Sequence, residues 1–371
     1  MRVGSNPNKE RQSSYLPARV TICVLVCIPT LTDYHAHRLD VLKLCLDSIV
    51  KHTDVPYDLL VLDNGSCDEV VDFLRSLRDQ GVIRFLLLSS GNVGMAGAYR
   101  LMFGAAPGEV VAYCDDDILF YPGWLQAHLA ILDSFPRVGM VSGVPIRHQF
   151  RYGNRYLAQY LLDFPNVAAK TGHFIPDEWE RDFFASVTGP PRVESTLNRI
   201  RAAHTEVVLE HQGLRAYSTA THFQFLAPKA VIIQGLGTDW PAGLMTGDQE
   251  MDERIDALGY ARLSTFGRYV RHIGNVITPE FRNSLIELGL AQGLQAWTPP
   301  SPYFPWPSAP PEGARAASSK ATKLGLLHPN VSTTWISMNQ QAHVDQVRFA
   351  GATRPSLRGA ARKLPDARST T

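Results

Sequence analysis

The chain of 371 residues is 45% hydrophobic and 19% charged, which is enough apolar material for one large core or two smaller ones. Its formal net charge of +1 argues against a general affinity for nucleic acid. Residues 1–18 are polar and lack the apolar stretch of a signal peptide, and no apolar run reaches the roughly 18 residues of a spanning helix. We therefore expect a soluble, cytoplasmic protein whose residues 1–18 form a disordered tail.

Strands and helices alternate over the first third of the chain. Short apolar, β-prone runs predict four strands, at residues 20–28, 57–62, 83–88 and 109–114. Apolar residues at helical spacing predict helices between these strands, at residues 38–52, 68–80 and 96–103. Such an alternation specifies a parallel α/β sheet with right-handed crossovers. Further strands are predicted at residues 138–143, 221–226 and 270–273, and a further helix at residues 248–258.

All five cysteines lie within this alternating part of the chain, and they are Cys23, Cys27, Cys45, Cys67 and Cys114. Their odd number and scattered positions predict reduced core thiols of a cytosolic protein. Because no CxxC pair is present, a zinc site is not expected.

Two other segments lack a clean periodicity. Residues 147–217 mix aromatic residues, prolines and charges, which predicts an insertion over one face of the sheet. Residues 298–371 begin with clustered prolines and are predicted to form a linker and a basic, partly disordered C-terminal extension. The basic residues of this extension are Arg348, Arg354, Arg358, Arg362, Lys363 and Arg368. They are suited to peripheral contact with anionic lipid, and a solvated tail is the alternative.

Three consecutive aspartates, Asp115, Asp116 and Asp117, follow the fourth predicted strand. Carboxylates this close repel one another, so burying them requires a counter-charge, and a hard divalent cation is the natural one. Because open α/β sheets bind ligands at the carboxyl ends of their strands, the cluster predicts a metal–phosphate site. A solvated acidic turn is the alternative hypothesis for an isolated run of this kind.

Seven motifs in order resemble those of the family 2 glycosyltransferases with a GT-A fold. They are Cys27-Ile28-Pro29-Thr30, Val61 to Ser66, Asn92 to Gly97, Tyr113 to Asp117, Gly247-Asp248, Arg254 with Gly259-Tyr260, and Val270 to Gly274. The resemblance covers about residues 20–275. It implies a GT-A domain over residues 19–297, with a Rossmann-like, mostly parallel twisted sheet flanked by helices. Residues 147–217 would be a variable insertion on the acceptor side.

The resemblance also implies an activity. The protein would be a metal-dependent, inverting glycosyltransferase that moves a hexosyl or deoxyhexosyl group from a nucleotide-diphosphate sugar to an acceptor hydroxyl. A UDP-sugar is the favoured donor, with GDP and dTDP left open, and the acceptor would be a glycan, a lipid-linked molecule or a small molecule. The nucleotide sugar would contact Pro29, Thr30, Asp63, Asn92, Gly94, Asp115 and Asp116. Asp63 would accept a base N–H, and its alternative role is to cap the following helix.

The remaining implied residues are metal ligands and a base. Mg²⁺ or Mn²⁺ would be bound by Asp117, Asp115 and His272, and His272 is otherwise a core histidine. Asp248 would be the catalytic base, and its alternative role is to complement the helix dipole. The carboxylates that follow it leave the choice of base open, and they are Glu250, Asp252 and Glu253. Arg254 is expected to pair with acidic neighbours, and Arg100 replaces the asparagine that is common in the family.

Weaker assignments concern the acceptor. The aromatic and basic residues of the insertion suit either a sugar- or phosphate-bearing acceptor or a folded lid, and they are Trp179, Phe183, Phe184, Arg192 and Arg199. His222 and Gln224 lie where relatives line the acceptor cleft. Two other functions are kept as alternatives. One is a catalytically degenerate sugar-nucleotide-binding module, which the retained Asp117 and Asp248 oppose. The other is a nucleotidyltransferase, although the segment Pro29 to Thr32 lacks the glycine-rich basic loop of that class.

Overall fold

The computed structural model describes residues 4–9, 13, 15–151, 156–188, 193–238, 243–245 and 247–290. The predicted C-terminal extension, residues 298–371, lies outside the described residues. The end of the predicted N-terminal tail is tied to the sheet, because the Tyr15 hydroxyl and the Ala18 N–H both donate to the buried Asp58 carboxylate, at 2.8 and 3.0 Å.

Twelve strands and ten α-helices are present in the described part of the chain. The strands are β1 (Val20–Val26), β2 (Tyr57–Asn64), β3 (Phe85–Ser89), β4 (Val110–Asp115), β5 (Ile118–Phe120), β6 (Val138–Ser142), β7 (Ala168–Gly172), β8 (Glu206–His211), β9 (Leu214–Tyr217), β10 (Gln224–Pro228), β11 (Ala261–Thr265) and β12 (Val270–His272). The helices are α1 (Arg38–His52), α2 (Asp68–Asp79), α3 (Met95–Ala105), α4 (Trp124–Ser134), α5 (Leu157–Asp163), α6 (Asp177–Thr188), α7 (Val193–Ala203), α8 (Lys229–Leu236), α9 (Asp248–Ala257) and α10 (Pro279–Glu287).

Ten of the described strands form one sheet, in the order β3-β2-β1-β4-β10-β6-β11-β9-β8-β7. The first four are joined by parallel pairings, and β11 is parallel to β6. Strand β10 is antiparallel to both β4 and β6, so β4 and β6 run in the same direction on either side of it. The predicted α/β class, a largely parallel sheet flanked by helices, is confirmed. The antiparallel β10 and the antiparallel pairings of β7, β8 and β9 were not predicted from the sequence.

Strand β1 lies in the middle of the parallel part and is covered on both faces. Its residues Val20, Ile22 and Val24 belong to one apolar cluster, which includes residues of α1 and α2. Cys23 belongs to a second cluster, which includes Tyr99 of α3 and residues of α8 and α9. Burial on both faces explains why the strand appears in the sequence as a continuous apolar run rather than an alternating one.

The predicted insertion, residues 147–217, has more regular structure than its sequence pattern indicated. It contains α5, α6, α7 and the strands β7, β8 and β9, which extend the central sheet. Its charges obscured the pattern, because Arg147 is buried and binds two buried carboxylates, Glu180 and Glu206. Because some charged residues of this segment are buried, charge alone does not show which positions face solvent. The alternation of buried and exposed positions could therefore not be recognised from the sequence.

Strand β5 and helix α4 were also not predicted. No strand was predicted between residues 114 and 138, whereas Ile118–Phe120 forms a two-stranded antiparallel ribbon with β12. None of the helices in the described ranges combines the length and the apolar character that crossing a membrane requires.

Candidate active site

The candidate site lies where the parallel strands β1 to β4 end, at one edge of the sheet. Residue Val26 of β1 pairs with Asp63 of β2, and Leu25 of β1 pairs with Asp115 of β4. The two aspartates therefore flank the end of the central strand. Pro29 and Thr30, which follow β1, are exposed at the same edge. This is the position at which open α/β sheets bind ligands.

The loop after β3 is held against the end of β2 by a pair of asparagines. Asn64 donates to Asn92 Oδ1 at 3.0 Å and accepts from the Val93 N–H at 2.9 Å, and Asn92 Oδ1 also accepts from the Gly94 N–H at 2.8 Å. Gly65 has φ +88°, and a Cβ there would lie 3.0 Å from the Asn92 nitrogen. A glycine is thus required for the two loops to approach this closely. Sequence analysis selected Asn92 and Gly94 but not Asn64.

Asp63 closes the turn before α2 and does not cap the helix itself, whose N-cap residue is Cys67. Its carboxylate oxygens accept from the Ser66 N–H at 3.2 and 3.3 Å, and the residue is buried. Contact with a nucleobase stays a prediction for this residue.

Two of the three aspartates form ion pairs with Arg38, which the sequence analysis did not select. Arg38 begins α1, and its Nη1 donates to Asp117 Oδ2 at 2.8 Å while its Nη2 donates to Asp116 Oδ1. Both aspartates are buried. The expectation that buried carboxylates need a counter-charge is therefore met within the protein by an arginine. The available signal was a basic residue at the start of the helix after β1, which places it at the same edge of the sheet.

The second oxygen of each of these carboxylates has no hydrogen-bond partner. Asp116 Oδ2 and Asp117 Oδ1 are buried and unpartnered, as is Arg38 Nε. The pKa of Asp116 is raised, chiefly because the carboxyl group is buried. The charge of Arg38 opposes this rise, and the charge of Asp117 adds to it. Unpaired buried carboxylate oxygens are costly, so these atoms mark where a further cation or hydrogen-bond donor would be stabilised.

His272 reaches the cluster because β12 pairs with β5 directly after the aspartates. His272 lies opposite Ile118, and the Ile273 N–H donates to the Asp117 carbonyl oxygen at 2.8 Å. As a result, His272 Nε2 lies 3.6 Å from Asp117 Oδ2. Two predicted metal ligands separated by more than 150 positions in the sequence are thus adjacent in the structure.

The other ring nitrogen of His272 is held by Ser186 of α6. The Ser186 hydroxyl donates to the Phe183 carbonyl oxygen at 2.6 Å and lies 2.8 Å from His272 Nδ1. Since the serine proton is used by that carbonyl, Ser186 Oγ accepts from an Nδ1–H of the ring. In the neutral ring the Nε2 lone pair then faces Asp117, which is the tautomer that binds a cation through Nε2.

Asp115 is oriented differently from its neighbour Asp117. Its Oδ1 accepts from the Tyr113 hydroxyl, and its backbone N–H donates to the Phe223 carbonyl oxygen at 2.9 Å. Burial, followed by the charge of Asp117, raises its pKa well above the usual range. Of the three predicted metal ligands, the structure therefore places Asp117 and His272 together and turns Asp115 toward Tyr113.

Asp248 is held by a tyrosine that the sequence analysis did not select. It opens α9 directly after Gly247, which has φ +115°. The Tyr99 hydroxyl donates to Asp248 Oδ1 at 3.3 Å, and the Tyr99 ring meets the Tyr113 ring edge-on at 4.8 Å. Asp248 and Asp115 are therefore each bound by a tyrosine, and the rings of these two tyrosines are in contact. Burial raises the pKa of Asp248, and the nearby His222 lowers it.

The carboxylates that follow Asp248 have different environments. Asp252 accepts from Arg262 at 2.6 Å and lies 2.9 Å from His222 Nε2, so it belongs to a buried ion-pair group. Glu250 is exposed. Asp248 is therefore the acidic residue of this group that accepts from Tyr99.

Three side chains near the site are held by hydrogen bonds to the backbone. Gln224 does not line a cleft, because it is fully buried and its Oε1 accepts from the Gly143 N–H at 2.8 Å. Arg254, which was expected to pair with acidic neighbours, donates to the Leu236 carbonyl oxygen at 3.1 Å. Arg100 likewise donates to the Leu236 carbonyl oxygen at 3.2 Å, so this side chain caps the end of α8.

The aromatic residues of the insertion divide into two groups. Phe183 stacks on Phe223 with ring centroids 5.6 Å apart, and both rings contact the His272 ring, at 5.8 and 5.5 Å. Trp179 and Phe184 pack into apolar clusters. Arg199 is exposed, and Arg192 lies outside the described residues. Only Phe183 of this set is thereby placed against a predicted site residue.

Residues 25–185 match the family model described as glycosyl transferase family 2, the family that the sequence motifs resemble. An uncharacterized glycosyltransferase of Nostoc sp. is 29% identical over 105 residues, which are 28% of this chain and 33% of the relative. The chain thus spans about a third of the length of the curated relative that it matches.

Two solved structures are also similar. A mannosyltransferase from Pyrobaculum calidifontis, in complex with GDP-Man and Mn²⁺, has 15% identity and a TM-score of 0.40, over 93% of this chain and 84% of that chain. TarS from S. aureus has 12% identity and a TM-score of 0.41, over 76% of this chain and 67% of that chain.

Proposed function

We propose that the protein is a metal-dependent, inverting glycosyltransferase that moves a sugar from a nucleotide-diphosphate donor to an acceptor hydroxyl. The observation that carries the proposal is the placement of Asp248 and Asp115 by Tyr99 and Tyr113, two tyrosines in edge-on contact that each donate to one of these carboxylates. It holds a candidate base at a defined position relative to the aspartate cluster. Such a constellation is what a transferase needs when its base and its diphosphate site act on the same sugar.

The residues proposed to hold Mg²⁺ or Mn²⁺ are Asp117 and His272, with Asp115 as a third ligand. Asp117 Oδ1 is buried and unpartnered, and His272 Nε2 lies 3.6 Å from the other oxygen of the same carboxylate, so both atoms would be available to a cation. Among the described residues, no group of three or more His, Cys, Asp or Glu is arranged to hold a metal. That is compatible with Mg²⁺, which usually takes one or two carboxylates together with substrate phosphates and water. When bound, the ion would neutralise charge on the leaving diphosphate.

Asp248 is proposed to accept the proton of the acceptor hydroxyl as the hydroxyl oxygen attacks the anomeric carbon. Attack from the side opposite the diphosphate inverts the anomeric configuration. Because burial raises the pKa of Asp248, its ionised form is a stronger base than an exposed aspartate. Tyr99 orients the carboxylate through the bond to Oδ1. Phe183 and Phe223 cover His272 with apolar surface and so limit the access of water.

The donor is proposed to lie across the ends of β1 to β4. The nucleotide would be contacted by Pro29, Thr30, Asn92 and Gly94, and its base by Asp63. The nucleotide sugar would also contact Asp115 and Asp116. A UDP-sugar is the proposed donor and a glycan, lipid-linked or small-molecule hydroxyl the proposed acceptor. A cytoplasmic location is proposed because the five cysteines are all unpaired. Membrane contact through the C-terminal extension concerns residues outside the described ranges.

Incubation with UDP-, GDP- and dTDP-sugars tests the proposal, with the products separated and the anomeric configuration read by NMR. Release of a nucleoside diphosphate with inversion, abolished by EDTA, is the expected result. Release of pyrophosphate would instead indicate a nucleotidyltransferase, and binding without turnover would indicate a degenerate binding module.

The metal claim has its own test in calorimetry of Asp117→Ala. Nucleotide affinity in the presence of Mn²⁺ should fall at least about tenfold, which corresponds to roughly 1.4 kcal/mol. Unchanged affinity that is also insensitive to EDTA would remove the metal from the proposal.

A further inference from the structure

Arg38 holds the two buried aspartates Asp116 and Asp117 with a single guanidinium group. One nitrogen donates to each carboxylate, at 2.8 Å to Asp117 Oδ2, and the arginine side chain is 11% exposed. A guanidinium remains protonated at any physiological pH and offers a planar fork of donors. Arg38 therefore supplies at this site the positive charge that a divalent cation is proposed to supply.

We propose that Arg38 is an exchangeable internal cation, which gives up Asp117 to the divalent ion and withdraws onto Asp116. The inference rests on the metal site of the proposed function. Two cations on one carboxylate repel each other, so a metal ion bound to Asp117 weakens the bond from Arg38 Nη1 to Asp117 Oδ2. The guanidinium then needs another acceptor within reach.

Asp116 provides that acceptor. Its Oδ1 already binds Arg38 Nη2, and its Oδ2 is buried with no hydrogen-bond partner. Arg38 Nε is likewise buried and unpartnered. A small rotation of the guanidinium can therefore convert one bond to each aspartate into two parallel bonds to Asp116, the bidentate geometry that arginine and carboxylate prefer. In this exchange Asp116, the middle aspartate of the three, binds Arg38 while Asp117 binds the metal.

This exchange makes opposite predictions for the two partners. Arg38→Gln removes the competing cation, so the affinity for Mn²⁺ alone should increase at least about tenfold. Asp116→Asn weakens the acceptor to which Arg38 moves when the metal binds. Arg38 then stays on Asp117, and the Mn²⁺ affinity should decrease several-fold. In the double variant the Asp116 effect should vanish, because Asp116 acts through Arg38 and the two changes are not additive.

Direct Mn²⁺ titration by electron paramagnetic resonance, without nucleotide and without turnover, measures these affinities. Arg19→Gln is the matched control, because Arg19 also makes a forked bond to an aspartate, Asp133, and its loss changes the net charge equally. If Arg38→Gln is unstable without added ion, Arg38→Lys keeps the competing charge but loses the fork that binds both oxygens of Asp116, so its Mn²⁺ affinity should not exceed that of the wild type, and a clear increase would overturn the exchange.

The outcomes separate the inference from the function on which it rests. Equal or weaker Mn²⁺ binding in Arg38→Gln, with Asp117→Ala abolishing binding, overturns the exchange and leaves the metal site in place. Tighter binding in Asp116→Asn also overturns the exchange. Binding that Asp117→Ala leaves unchanged removes both the exchange and the metal site.

Discussion

Replacing Tyr99 by phenylalanine should shift the pH dependence of the transfer reaction toward higher pH. The change removes the hydroxyl that donates to Asp248 Oδ1 at 3.3 Å. It leaves the ring in its aromatic cluster, where the ring stacks on Phe103 at 5.2 Å and meets Tyr113 edge-on at 4.8 Å. The perturbation is therefore confined to one hydrogen bond and conserves the packed volume of the ring.

The magnitude follows from the length and the charge of that bond. A hydrogen bond to an ionised group contributes about 1.5–3 kcal/mol, and a distance of 3.3 Å places this one at the lower end of that range. Since about 1.4 kcal/mol corresponds to one pKa unit, losing a bond that stabilises ionised Asp248 should raise its pKa by about one unit. Burial already raises this pKa. The acidic limb of the kcat profile should accordingly move upward by about one unit.

The assay is kcat against pH for the wild type and Tyr99→Phe under saturating donor and metal. Below the limb, the rate of the variant should be about tenfold lower, and well above it the two rates should converge. Tyr160→Phe is the control, because Tyr160 is buried and donates to the Pro136 carbonyl oxygen at 2.9 Å, outside the site. An acidic limb that stays in place, or moves to lower pH, refutes the role of Tyr99 and weakens the assignment of Asp248 as the base.

Further outcomes are expected at three positions. Asp248→Asn should leave donor binding nearly normal and reduce transfer at least about a hundredfold, whereas the exposed Glu250→Gln should stay active; the reverse pattern would show that the base was misassigned. Asp63→Ala should weaken nucleotides that share the preferred base by about 1–3 kcal/mol in calorimetry, and a loss that follows sugar identity would contradict base recognition. Ser186→Ala should weaken Mn²⁺ binding severalfold, because the His272 ring loses the hydrogen bond at Nδ1 that fixes its tautomer. Ser284→Ala, which also loses a serine bond to a carbonyl three residues earlier, should leave Mn²⁺ binding unchanged.

Local pattern was sufficient for much of the parallel half of the fold. Helix α1 begins and ends at the predicted residues because its apolar positions keep helical spacing throughout, and the motifs from β1 to β4 lie at one edge because parallel strands end together. Arg38 was not recognised because its partners are 78 and 79 residues away. A basic residue at the start of a helix can be seen in the sequence, but its position does not show which carboxylates it binds. Tyr99 was missed for the same reason, since its hydroxyl contacts a carboxylate 149 positions later.

The position of Ser186 has a consequence for how such an enzyme could change its acceptor. Helix α6 belongs to the segment that sequence analysis assigned to the acceptor side, yet Ser186 on this helix hydrogen-bonds to the ring of His272. If this segment were exchanged between relatives, helix α6 and its Ser186 would be exchanged with it. Here an exchanged segment that lacks a hydroxyl at this position would alter a proposed metal ligand at the same time. Acceptor specificity and metal affinity are therefore expected to vary together in chimeras of this protein, and a transplanted segment should retain its serine.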